Sequence, residues 1–206
     1  LPLDKNIITK QGKCGDYDYT VPFEIVPDEI NSNGYKFIIN KNGNNALTAS
    51  AQKINTGSKD SKIAFLCASL VGDKDAEFVI NGREVKAKVN SCFERFARWD
   101  LYDFGETAYI KKGKIAYEAT HCHKNGKDEI VKSMYFYIVE FDVPKNSTVI
   151  LPNDSDIVIL AACSLHDGKA TLAAPVYDEI QNNRPFTFKM SKKEKAEYIL
   201  GKCGRL

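Results

Sequence analysis

From Tyr35 to Ser164 the chain is a succession of short β-rich runs broken by turn dipeptides, with no helical period between them. That pattern admits an all-β fold and little else. Its clearest element is a hairpin: Ala76-Glu-Phe-Val-Ile, then Asn81-Gly82, then Arg83-Glu-Val-Lys-Ala-Lys-Val. Asn-Gly supplies the two positive φ angles of a type I′ turn. In its second strand Val85, Ala87 and Val89 alternate with Glu84, Lys86 and Lys88, so one face is expected in a core and the other in water. A second hairpin is expected to join Thr107-Ala-Tyr-Ile to Ile115-Ala-Tyr through Lys112-Gly113.

Two other runs, Ile63-Ala-Phe-Leu-Cys-Ala and Ile157-Val-Ile-Leu-Ala-Ala-Cys, are apolar on both faces and suit central strands covered on each side. Two packed sheets accommodate both kinds of strand. The tail differs, because Ser191-Lys-Lys-Glu has the form of a capping box and precedes Ala-Glu-Tyr-Ile-Leu and Gly201, which predicts one short helix. The domain reading is an entry segment over 1–20, a β-sandwich over 21–180 and a tail with a short helix over 181–206.

At 206 residues and 43% hydrophobic content the chain is long enough to bury a sizeable core. A net charge of +2, with cationic and anionic residues interspersed, argues against a nucleic-acid partner. No apolar run approaches the roughly 20 residues of a membrane helix, so no membrane partner is expected. Six cysteines form no CxxC pair and match no zinc spacing; Cys67 and Cys163 sit in apolar strands and read as small buried hydrophobes. Reduced thiols in a cytoplasmic protein are the expectation, with secretion of a parent protein left open.

Two of the three histidines lie in Thr120-His121-Cys122-His123, just before an Asn125-Gly126 turn signal. Strand alternation puts His121 and His123 on one face and Cys122 on the other. Such a pair can bind a metal, contact a sugar or brace a strand end. A catalytic zinc needs at least a third protein ligand, which His166 or an aspartate could bring through the fold, so a metal-dependent hydrolase on His121 and His123 stays as an alternative. The single tryptophan stands in Arg98-Trp99-Asp100-Leu-Tyr102, where aromatic rings alternate with charged groups. A pyranose stacks its apolar face on a ring and offers hydroxyls to charged donors and acceptors, so Arg98, Trp99, Asp100 and Tyr102 are candidate ligand contacts beside His121 and His123. A packing role for Trp99 fits the same residues. Asp73 and Asp75 read as turn residues. No nucleophile elbow and no phosphate loop occur, and no pair of carboxylates stands out as catalytic.

Several blocks also occur in a familiar order. Val21-Pro-Phe-Glu-Ile, Ala51-Gln52, Ile63-Ala-Phe-Leu-Cys-Ala-Ser-Leu-Val-Gly-Asp, Arg98-Trp99-Asp100, Ile115-Ala-Tyr-Glu-Ala-Thr-His-Cys-His and Tyr135-Phe-Tyr through Ile150-Leu-Pro-Asn-Asp together cover roughly residues 20 to 178. In that order they resemble the C-terminal β-sandwich region of bacterial glycoside hydrolase family 38 α-mannosidases. The resemblance implies a galactose-binding-like, jelly-roll sandwich acting as a non-catalytic accessory domain, by carbohydrate contact or by packing on the catalytic domain of a longer chain. It places zinc in that separate catalytic domain and implies no cofactor, no metal and no catalytic residue in this one. Cys122 stands where those relatives carry arginine, and Tyr117 where they carry tryptophan, so no role for that arginine transfers.

Overall fold

The computed structural model describes residues 7–9, 19–41, 44–98 and 107–166. In chain order the strands are β1 (Ile8–Thr9), β2 (Tyr19–Pro22), β3 (Glu29–Ser32), β4 (Tyr35–Ile38), β5 (Leu47–Ser50), β6 (Lys53–Asn55), β7 (Asp60–Ser69), β8 (Lys74–Ile80) and β9 (Arg83–Val89). They continue with β10 (Ala97–Arg98), β11 (Tyr109–Ile110), β12 (Lys114–Ala119), β13 (Cys122–Lys124), β14 (Lys127–Glu129), β15 (Met134–Asp142), β16 (Thr148–Ile150) and β17 (Asn153–His166). Among the described residues there is no helix, and the helix expected from Ser191 lies outside them.

A five-stranded sheet, ordered β12-β15-β7-β17-β5, forms the middle of the domain. The two doubly apolar runs are β7, its central strand, and β17 beside it. Their alternate residues feed two separate cores. Ile63, Phe65 and Cys67 of β7, with Ile157 and Ile159 of β17, face Phe78, Ile80, Val89 and Val149 of the sheet β6-β16-β8-β9. Ala64, Leu66 and Ala68, with Val158 and Leu160, face Ile8, Val21, Ile30, Phe37 and Cys122, which belong to the sheet β1-β2-β13-β14 and the hairpin β3-β4. The β-sandwich is therefore present, and a third layer covers the far face of its middle sheet. Two layers would have left one apolar face of β7 and β17 in water, at a cost of roughly 1.5–3 kcal/mol per large side chain.

The Asn81-Gly82 hairpin forms between β8 and β9, with φ of 50° and 81° at the two turn residues. In β9, Glu84, Lys86 and Lys88 are exposed and Val89 is buried, while Val85 and Ala87 pack half-buried against the core. The hairpin expected through Lys112-Gly113 does not form. Strand β11 pairs with β10, and β12 pairs with β15. Gly113 serves close approach instead of a turn: a Cβ there would meet the Asn90 amide nitrogen and lie 3.2 Å from the Tyr137 ring. Cys67 is fully buried as expected, but Cys163 is only half-buried, in the stretch of β17 after Leu160 where no side chain is fully covered. Asp73 follows the bend between β7 and β8 and accepts a hydrogen bond from the Ser91 amide at 2.8 Å, whereas Asp75 lies within β8 and makes no turn.

At the edge, β1 runs parallel to β2. The buried Asn45 side chain acts toward β1 as a strand would. Its Oδ1 accepts from the Ile7 and Ile8 amides at 2.8 and 2.9 Å, and its Nδ2 donates to the Ile8 carbonyl at 2.8 Å. These bonds satisfy buried backbone groups of β1.

Candidate functional site

Two places gather chemistry-bearing side chains, and each contains residues singled out in the sequence. The first is a groove of about 730 Å³ along the two-stranded ribbon β10-β11, lined by Phe96, Ala97, Arg98, Ala108, Tyr109 and Ile110. Arg98 and Tyr109 are direct cross-strand partners. That register stacks the guanidinium over the phenol ring, 5.3 Å from its centroid. The Tyr109 hydroxyl donates to the Arg95 carbonyl at 3.0 Å, which fixes the ring. Phe96 is 40% exposed and stands edge-on to Tyr135, with ring centroids 5.7 Å apart.

The ribbon is anchored by Lys111, whose amide donates to the Phe96 carbonyl at 2.7 Å. Its side chain is largely covered, and its ammonium meets Asp73 at 2.7 Å and Glu94 at 2.5 Å. Burial pulls that ammonium toward neutrality, but the two carboxylates outweigh it and hold Lys111 above the usual lysine range. Of the residues expected here, Arg98 is in the groove, while Trp99, Asp100 and Tyr102 lie outside the described residues. Sequence reading did not single out Tyr109, Phe96 or Ile110. The signal for them is the pairing of β10 with β11, which the turn-based hairpin assignment concealed.

The second place is the end of the sheet β1-β2-β13-β14. The Asn125-Gly126 turn forms with φ of 50° and 71°, closing β13 onto β14. A two-residue turn fixes register, so His123 lies opposite Asp128. The other edge of β13 pairs with β2, placing His123 opposite Thr20 and bringing the turn after β2, with Glu24, alongside. The His123 Nε2 is 3.0 Å from Glu24 Oε1 and 3.0 Å from Asp128 Oδ1. His121 stands just before β13, its ring centroid 6.2 Å from that of His123. One donor atom from each of Glu24, His121, His123 and Asp128 lies within 4.8 Å of every other.

The expected shared side of His121 and His123 is thus realised, and Cys122 points the other way into the core, where burial pushes its thiol up to about 12. His166 does not join the pair; its Nδ1 meets Asp60 Oδ1 at 2.8 Å, at the end of β17. Sequence reading did not single out Asp128, although a local signal for it exists: the Asn-Gly turn sets it across from His123. Glu24 has no such signal, since only the tertiary pairing of β2 with β13 brings it there.

A family model for the AziU2-like beta-sandwich domain matches residues 1–168. It names a β-sandwich, as the ordered sequence blocks do, and a family other than the family 38 α-mannosidases. No curated protein matches the chain. Among solved structures, the chain is similar to the Podospora anserina GH26-CBM35 beta-(1,4)-mannanase at 14% identity and a TM-score of 0.25, over 74% of this chain and 26% of that one. The chain thus spans about a quarter of that enzyme's length, and overlap this weak carries no argument about either fold or ligand. With the family model spanning most of its length, the chain belongs to the AziU2-like beta-sandwich domain family.

Proposed function

We propose that this domain is a non-catalytic accessory module that contacts carbohydrate through the β10-β11 groove. The observation that carries the reading is the Arg98–Tyr109 stack beside the partly exposed ring of Phe96 in a groove of about 730 Å³. Aromatic rings give a pyranose an apolar platform, and a guanidinium offers a fork of N–H donors to neighbouring hydroxyls. The anchoring of Lys111 between Asp73 and Glu94 supports a preformed groove, which lowers the cost of binding. A mannoside ligand and an α-mannosidase-like parent enzyme are the finer parts of the proposal, and they rest on the ordered blocks that resemble the accessory sandwich of those enzymes.

A second reading is docking on a catalytic domain, favoured by Ile110, which is 81% exposed at the groove. Calorimetric titration with mannose, galactose and short mannan fragments separates the two. Saturable binding that Tyr109→Ala weakens at least tenfold supports carbohydrate contact. No heat with any sugar, from a chain that remains folded, would reject it in favour of docking.

A further inference from the structure

We infer that Glu24, His121, His123 and Asp128 form a binding site for one divalent transition-metal ion of the zinc class. The site is separate from the β10-β11 groove and does not depend on any sugar being bound there.

Donor chemistry is the first argument. Two imidazoles and two carboxylates make a full tetrahedral set for zinc, whose bonds to nitrogen and oxygen of roughly 2.0–2.2 Å set neighbouring donors roughly 3.3 Å apart. The two carboxylate oxygens already stand 3.0 Å from the His123 Nε2, and all four donors lie within 4.8 Å of one another. Small side-chain rotations close that set onto one ion. Imidazole with carboxylate suits zinc, cobalt, nickel or copper better than calcium or magnesium, which take oxygen alone.

Electrostatics is the second. Two carboxylates from different parts of the chain converge on the single Nε2 of His123, each at 3.0 Å. Their like charges repel unless a positive charge sits among them. A cation bound by all four donors removes the repulsion and uses a lone pair of each.

Preorganisation is the third. His123 is almost wholly buried and held in β13 between two partner strands, whereas Glu24 and Asp128 are about half exposed, at 54% and 58%. A rigid imidazole at the base with accessible carboxylates at the rim gives an ion both a fixed anchor and an entry path. When bound, the ion would clamp the turn after β2 to the β13-β14 hairpin, two segments about a hundred residues apart in sequence.

The test uses the full 206-residue chain, stripped with chelator and then titrated with Zn²⁺ or Co²⁺. Expected are one equivalent of Zn²⁺, the intense visible absorption of tetrahedral Co²⁺ displaced by Zn²⁺, and a higher Tm with metal than without. Because His123 is buried and its removal could unfold the sheet, the decisive variant is Glu24→Gln with Asp128→Asn. Both positions are solvent-accessible and both changes keep size and hydrogen-bonding capacity. Freed of the repulsion between two carboxylates, this variant should have a metal-free Tm equal to or above that of the native chain and lose affinity on the order of 100-fold. Absence of stoichiometric binding at micromolar metal would overturn the site. So would binding that the double variant retains, because the ion would then sit elsewhere on the chain.

Discussion

Replacing Phe78 with alanine should cost about 3–5 kcal/mol, because that ring joins the two sheets of the sandwich. Phe78 is fully buried on β8 and stacks on Phe65 of the middle sheet, with centroids 5.7 Å apart at 23° between planes. It also meets Phe141 of β15 at 4.8 Å and 54°. Each aromatic contact adds about 0.5–1.5 kcal/mol to the burial and cavity terms. Urea unfolding followed by far-UV circular dichroism gives the readout. With a slope near 2 kcal/mol/M, the midpoint should fall by roughly 1.5–2.5 M while the slope stays constant. Pairing Phe78→Ala with Phe141→Ala should then show a coupling of about 0.5–1.5 kcal/mol, since the rings touch. Ile38→Ala, at a position 64% exposed, serves as the control and should change stability by less than about 0.5 kcal/mol. A loss below about 1 kcal/mol for Phe78→Ala would show that the β8-β9 sheet does not pack on the middle sheet through this cluster.

Asn45→Ala should destabilise by about 1–3 kcal/mol and raise amide exchange at Ile7 and Ile8, since both buried N–H groups lose the Asn45 Oδ1 bond; unchanged exchange would contradict this. Gly113→Ala should cost about 1–3 kcal/mol, because its methyl group collides with the Asn90 amide, and Asn90→Ala should recover part of the loss in the double variant. Asp60 accepts the Gly57 amide at 2.6 Å, and that bond, aided by Ser164 and His166 against the opposing effect of burial, lowers its pKa. A lowered folded pKa means stability that is present above the unfolded value of about 3.9 and is lost as pH falls through the folded one. The stability gap between the native chain and Asp60→Asn should therefore shrink as pH drops below about 4, and parallel unfolding midpoints from pH 6 to pH 3 would refute it.

Local signals carried much of the fold. The doubly apolar character of Ile63–Ala68 and Ile157–Leu160 marked the two strands at the centre of the middle sheet, and Asn81-Gly82 and Asn125-Gly126 marked two of the tight hairpins that form; Asn33-Gly34, which reads as part of a loop, closes a third between β3 and β4. Periodicity reports how many faces of a strand are covered, but it does not report by what, so the third layer built from β1-β2-β13-β14 and β3-β4 was not foreseen. Lys112-Gly113 misled for a related reason. Glycine is required at a turn and also wherever another side chain must come close, and only the packing of Asn90 and Tyr137 reveals which need applies.

The candidate sites divide along the same line. Asp128 follows from a local turn register, whereas Glu24 reaches His123 only because two distant strands pair. Tyr109 faces Arg98 through a ribbon whose two strands are separated by ten residues of chain, a distance no local pattern spans.

The most direct test of the carbohydrate reading is an NMR titration of the isotope-labelled chain with mannose, galactose and short mannan fragments. Saturable shifts confined to Phe96–Arg98 and Ala108–Ile110, with the His121 and His123 imidazole signals unmoved, are the outcome expected of a sugar-binding groove. No shifts with any of these sugars, or shifts that map away from the β10-β11 ribbon, would contradict it.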